Sequence, residues 1–113
     1  MKPAERPQAR ETRTMKFGTL YSYWTNEWSC NYPETAKRVR DVGFDILEVG
    51  ANHLVEMPEK ELMELGAAAK DLGLTITSNI GPKKRYDVAS KDPDVRTAGI
   101  RYLCDIMKKM DQI

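Results

Sequence analysis

A chain of 113 residues, 41% hydrophobic and 31% charged, has the make-up of one folded domain, which excludes a disordered tail. Its 18 basic and 17 acidic side chains leave a net charge of +1, so no field draws nucleic acid or an anionic membrane, and no apolar stretch nears the ~20 residues of a membrane span. Cys30 and Cys104, far apart and in neither a metal nor a redox spacing, read as buried or free thiols of a reducing, cytoplasmic setting.

Residues 1–14 combine Pro3 and Pro7 with Lys2, Glu5, Arg6, Arg10, Glu11 and Arg13 and show no apolar period. Such a stretch buries too little to offset the entropy of ordering. It is expected to be a disordered leader, dispensable for folding, or to precede a functional start at Met15. Structure is expected from Met15 onward, with Lys16 to Tyr21 as a first strand and an aromatic loop, Ser22 to Trp28, after it. A first helix follows, with Asn31 as cap, Pro33 in the opening turn and Ala36 and Val39 on its inner face.

The next stretch organises the rest. Asp41-Val42-Gly43 reads as a helix end and a glycine stop, and Asp45 to Val49 as a short buried strand. The same order returns thirty residues later, with Gly73 in the place of Gly43 and a third strand from Leu74 to Asn79. That interval is about one βαβ step of ~30 residues. Between them, Gly50 to Leu54 reads as a loop, and a helix opening near Pro58 carries Leu62, Leu65, Ala68, Ala69 and Leu72 at steps of three and four. After Gly81-Pro82, the bases Lys83, Lys84 and Arg85 read as a solvated loop, with a phosphate-gripping patch as the alternative. Asp92-Pro93 starts a third helix whose apolar face is Val95, Ala98, Tyr102, Leu103, Ile106 and Met110. The run of βα units predicts an α/β fold with a parallel sheet, part of a barrel or of a larger sheet.

In such folds ligands gather at the carboxyl ends of the strands. The first of these loops offers Tyr21, Tyr23, Trp24, Glu27 and Trp28, aromatics suited to the apolar face of a sugar or else to a core beneath a long loop. The second offers Asn52 and His53, the only histidine, which reads as a hydrogen-bonding or incidental group before it reads as a ligand or base. The third offers Asn79 and Gly81. Glu48, inside an apolar strand, has to be paired or functional. No phosphate loop, dinucleotide fingerprint, serine elbow or metal-binding cluster is present.

Lys16-Phe17-Gly18 with Tyr21-Ser22-Tyr23-Trp24 and Glu27-Trp28, followed by Gly43-Phe44-Asp45-Ile46-Leu47-Glu48-Val49, resembles the amino-terminal part of the ketose 3-epimerases, within the D-tagatose and D-psicose (D-allulose) 3-epimerase group. Asp71-Leu72-Gly73-Leu74-Thr75, Ile80-Gly81 and Tyr86 to Ser90 are also similar. The resemblance covers nearly all of Met15 to Ile113. It implies a (β/α)8 TIM barrel, of which residues 15–113 supply the first three βα units, either as a fragment of a longer product or as a truncated one.

It also implies an isomerase in which a divalent ion, commonly manganese with magnesium or cobalt as alternatives, holds two ketose oxygens while two glutamates exchange the carbon-3 proton. The metal ligands of that family, two glutamates, an aspartate and a histidine, lie on later strands, so neither catalytic residues nor metal binding are expected in this chain by itself. What can be carried over are substrate-binding positions. Trp28 matches a tryptophan that walls the site, Leu20 stands where Phe or Tyr is usual, and Asn79 stands where Gly or Cys is usual. A complete barrel is expected to bind a ketose and to be a homo-oligomer. The rival readings are an inosose dehydratase or hydroxypyruvate isomerase of the same superfamily, and a non-catalytic module completed by a partner.

Overall fold

The computed structural model describes residues 15–113. The leader expected over residues 1–14 lies outside the described residues. Three strands, β1 (Gly18–Leu20), β2 (Ile46–Gly50) and β3 (Thr75–Asn79), form one parallel sheet in the order β1-β2-β3. Four helices connect and follow them: α1 (Tyr32–Val42), α2 (Ala51–Glu56), α3 (Glu59–Leu72) and α4 (Pro93–Met110).

Each predicted stop and start has a local cause. Asn31 Oδ1 accepts the Glu34 N–H at 3.1 Å and Pro33 supplies a preset opening turn to α1. At the other end Gly43 adopts φ 127°, and its N–H reaches the Val39 carbonyl. Gly73, left-handed at φ 61°, closes α3 in the same way, and Leu74 N–H returns to the Ala69 carbonyl at 2.9 Å. Asp92 Oδ1 caps α4 through the Asp94 N–H at 2.9 Å.

The core lies on one face of the sheet. Leu47 and Val49 of β2 are fully buried with Tyr32, Ala36 and Val39 of α1, Leu54 of α2 and Leu62 and Leu65 of α3. Ile46 and Glu48, which alternate with them, turn to the opposite face and stay half-buried. Three parallel strands in sequential order, with the helical core to one side, form successive βα units and agree with the expected first three units of a (β/α)8 barrel.

Asp45 ties the amino-terminal end of this segment. Its Oδ2 accepts the Phe17 N–H at 3.1 Å and its Oδ1 meets Arg40 Nη1 at 3.1 Å, while Arg40 also donates to the Phe44 carbonyl. Both charges are largely buried, so the pair fixes β1 to the last turn of α1 at the end of the barrel that serves stability.

Several expectations need correction. The first strand is only Gly18–Leu20, because the chain tightens at once into a 3-10 turn over Tyr21–Trp24. Gly50 to Leu54 is no loop, since Ala51–Glu56 form α2, which buries Ala51 and Leu54. Lys83, Lys84 and Arg85 are exposed as expected of a solvated segment, but Lys84–Tyr86 wind into a further 3-10 turn. The inner face of α4 is less apolar than expected: Gly99 and Ile106 are buried, whereas Leu103 is 37% exposed. The reason is that α4 rests on α2 and the Lys84–Tyr86 turn.

Candidate functional site

Register defines what shares the open face of the sheet. Leu20 pairs with Glu48 and Glu48 with Thr77, which makes one layer; Gly50 pairs with Asn79 one step nearer the carboxyl ends. Leu20 and Glu48 are half-buried and Asn79 is exposed. Asn79 Nδ2 donates to Glu48 Oε2 at 3.2 Å. Glu48 thus lies outside the apolar layer, on the side where a closed barrel has its interior, and its partner is Asn79. The strands therefore bring Leu20, Glu48 and Asn79 together, with Thr77 as a fourth member that sequence reading did not single out. Alternation along Ile46 to Gly50 carries that signal, because Leu47 and Val49 claim one face and leave Glu48 the other.

Gly50 lies under a close approach of side chains. A Cβ there would sit 3.0 Å from His53 Nδ1 and 3.1 Å from Asn52 Oδ1, so glycine lets the first turn of α2 close over the strand end. His53 is bonded through Nδ1 to the Tyr32 hydroxyl, whose oxygen also receives the Gly50 N–H at 3.4 Å. The Tyr32 hydroxyl thus joins the Gly50 amide to the His53 ring, with the imidazole tautomer setting which of Tyr32 and His53 donates. Tyr21 completes the cluster edge-on, 5.6 Å from the Tyr32 ring and 5.3 Å from the His53 ring.

The aromatic loop divides into two parts. Tyr21 and Trp24 pack against the core, and Trp24 Nε1 donates to Thr19 Oγ1 at 3.1 Å. Tyr23 and Trp28 project outward, 84% and 91% exposed. The Trp28 loop is held by its backbone, whose carbonyl accepts the Tyr21 hydroxyl at 3.3 Å. Trp28 therefore stands in the loop after β1 with its side chain exposed among the described residues, whereas Tyr21 and Trp24 pack on the core.

Burial pushes the Tyr32 phenol above the ordinary tyrosine range. A folded-state value above the unfolded one means that the contribution to stability is complete below about pH 10 and is lost as pH rises beyond that. Chemical denaturation between about pH 8 and pH 11 is expected to show a falling midpoint, with a shallower fall in Tyr32→Phe. At neutral pH that variant should lose about 1–3 kcal/mol, because the Gly50 N–H and His53 Nδ1 are left without their partner. An unchanged alkaline slope would contradict the assignment.

Among the described residues no group of three or more His, Cys, Asp and Glu is placed to hold a metal ion. Those side chains do not assemble the ion's ligand set. Cys30, half-buried, and Cys104, exposed, are both free thiols. No helix among the described residues is long and apolar enough to cross a membrane.

Parallel order, a one-sided core and polar groups at the carboxyl strand ends fit the α/β class to which (β/α)8 barrels belong. No protein-family model matches the chain. The D-psicose 3-epimerase of Agrobacterium fabrum is 44% identical over 85 residues, which are 75% of this chain and 29% of that protein. That of Ruminiclostridium cellulolyticum is 35% identical over 96 residues, 85% of this chain and 33% of its own. Among solved structures, a D-psicose 3-epimerase in the presence of D-fructose superposes with a TM-score of 0.80 at 38% identity. The Clostridium cellulolyticum H10 enzyme with D-tagatose gives 0.81 at 35%. Each superposition covers 87% of this chain and 34% of the other. The chain belongs to the ketose 3-epimerase family and spans about a third of the length of the curated relatives it matches, in their amino-terminal part.

Proposed function

We propose that residues 15–113 supply the amino-terminal, substrate-facing part of a barrel that interconverts ketohexoses by epimerisation at carbon 3, with D-psicose, D-fructose or D-tagatose as substrates. The observation that carries this reading is the agreement of sequence and fold over the same stretch, 33–44% identity and TM-scores of 0.80 and 0.81 against D-psicose 3-epimerases. In this reading the chain binds and orients the sugar. Leu20 and Trp28 offer apolar walls, and Asn79, held by Glu48, offers a polar contact at the strand ends. In a complete enzyme of this family a divalent ion, manganese in the first instance, and the proton-exchanging carboxylates would be held by the later strands of the barrel. The two free thiols suit a reducing cytoplasm, and the complete barrel is proposed to be homo-oligomeric.

The test is a chimera joining residues 15–113 to the carboxyl-terminal two thirds of the Agrobacterium fabrum relative. It should convert D-fructose to D-psicose, and a folded chimera without such conversion would refute the reading. In the same chimera Trp28→Ala should leave the denaturation midpoint within about 0.5 kcal/mol, since an exposed indole packs on nothing. Its kcat/KM should fall about tenfold, the loss of roughly 1.4 kcal/mol of aromatic contact with sugar. A stability loss with kcat/KM unchanged would return Trp28 to a structural role.

A further inference from the structure

Asparagine is an ambiguous group in a sugar site, because its amide can present either a donor or an acceptor and can exchange the two by turning over. In this chain the ambiguity is removed by a neighbour. Glu48 lies one layer below Asn79 on the open face, and the position beside Asn79 on β2 is Gly50, which has no side chain to stand between them. Across that gap Glu48 Oε2 receives Asn79 Nδ2 at 3.2 Å. An ionised carboxylate only accepts hydrogen bonds, so the amide nitrogen must face it and the amide oxygen must face away.

We propose that Glu48 is a positioning residue which fixes the Asn79 amide with Oδ1 presented at the carboxyl ends of the strands, so that this corner of the site selects ligands that bring a hydroxyl donor. The inference rests on the ketohexose reading above for the identity of the ligand, but not for the orientation of the amide. Glu48 itself touches no substrate. Its carboxylate is turned to Asn79, and its effect passes through that side chain alone. A ketose hydroxyl at this corner donates to Oδ1, whereas a deoxy analogue would leave Oδ1 without a donor in a partly desolvated site and bind more weakly.

Two measurements decide the matter. In the 113-residue chain labelled with nitrogen-15, the Asn79 side-chain amide should shift when Glu48 is replaced by glutamine. An amide insensitive to that change overturns the proposal whatever the barrel does. In the chimera, Glu48→Gln should raise KM for D-fructose about three- to tenfold with kcat nearly unchanged, the range expected for one hydrogen bond. Asn79→Gly should do the same, and in the Asn79→Gly background Glu48→Gln should have no further effect. If the Glu48→Gln effect persists without Asn79, Glu48 is structural and the proposal falls. Lack of epimerisation by the unsubstituted chimera would refute the ketohexose reading and with it the ligand part of this inference, leaving the amide shift to decide the orientation.

Discussion

Leu47→Ala is expected to cost about 2–5 kcal/mol, enough to leave a large fraction of the chain unfolded at room temperature. Leu47 sits in the central strand with no exposed surface, inside the cluster that joins β2 to α1 and α3. Removing its branched end loses the transfer free energy of three carbons and opens a cavity that two helices and a strand can fill only by moving together. The neighbouring change Glu48→Ala should cost less than about 1 kcal/mol, since it forfeits one partly exposed hydrogen bond. Urea denaturation of the two variants checks the assignment of faces. Equal losses would mean that β2 is buried on both sides as it stands.

Gly99→Ala is expected to have the second largest effect, about 1–3 kcal/mol, although the new group is a single methyl. A Cβ at residue 99 would overlap the Tyr86 carbonyl oxygen and lie 2.9 Å from its carbon and 3.0 Å from Val88 Cγ1. Two of those atoms are backbone in the Lys84–Tyr86 turn, so the clash cannot be relieved by a rotamer change. The helix has to lift from the turn. The rings of Tyr86 and Tyr102, parallel and 4.1 Å apart, would then separate, and Arg85 would lose its place over Tyr86. Near-ultraviolet circular dichroism should record the lost tyrosine stack together with a lower denaturation midpoint. An unchanged tyrosine spectrum would mean that α4 is not seated on the turn.

Helix ends and the existence of three strands were legible because each rests on local chemistry. Asn31, Pro33 and Asp92-Pro93 act within a turn of where they stand, and Gly43 and Gly73 adopt positive φ values that other residues rarely adopt. The short helix α2 was not, since six residues with only Ala51 and Leu54 turned inward give no period to detect. Positions 32, 36 and 39 share one helical stripe, but Tyr32 stands in the opening turn beside the cap, where sequence gives no sign of a side chain that proves 3% exposed. Pairings across many residues, such as Asp45 with Phe17 and Tyr86 with Tyr102, depend on the closed fold and leave no mark in any short window.

For the site, Leu20 and Asn79 were found through resemblance, and the structure adds the register that brings them together beside Glu48. Trp28 too came from the resemblance, since spacing alone does not separate it from Trp24 four residues earlier; tertiary packing partly buries the one and exposes the other.

The most direct measurement is a crystal structure of the chimera with D-fructose bound. The expected result is the ketose at the carboxyl ends of the strands, within contact distance of Leu20 and Trp28 and with a hydroxyl on Asn79 Oδ1. A sugar bound elsewhere in the barrel, touching none of the three, would contradict the assignment of this segment to the substrate-facing part of a ketose 3-epimerase.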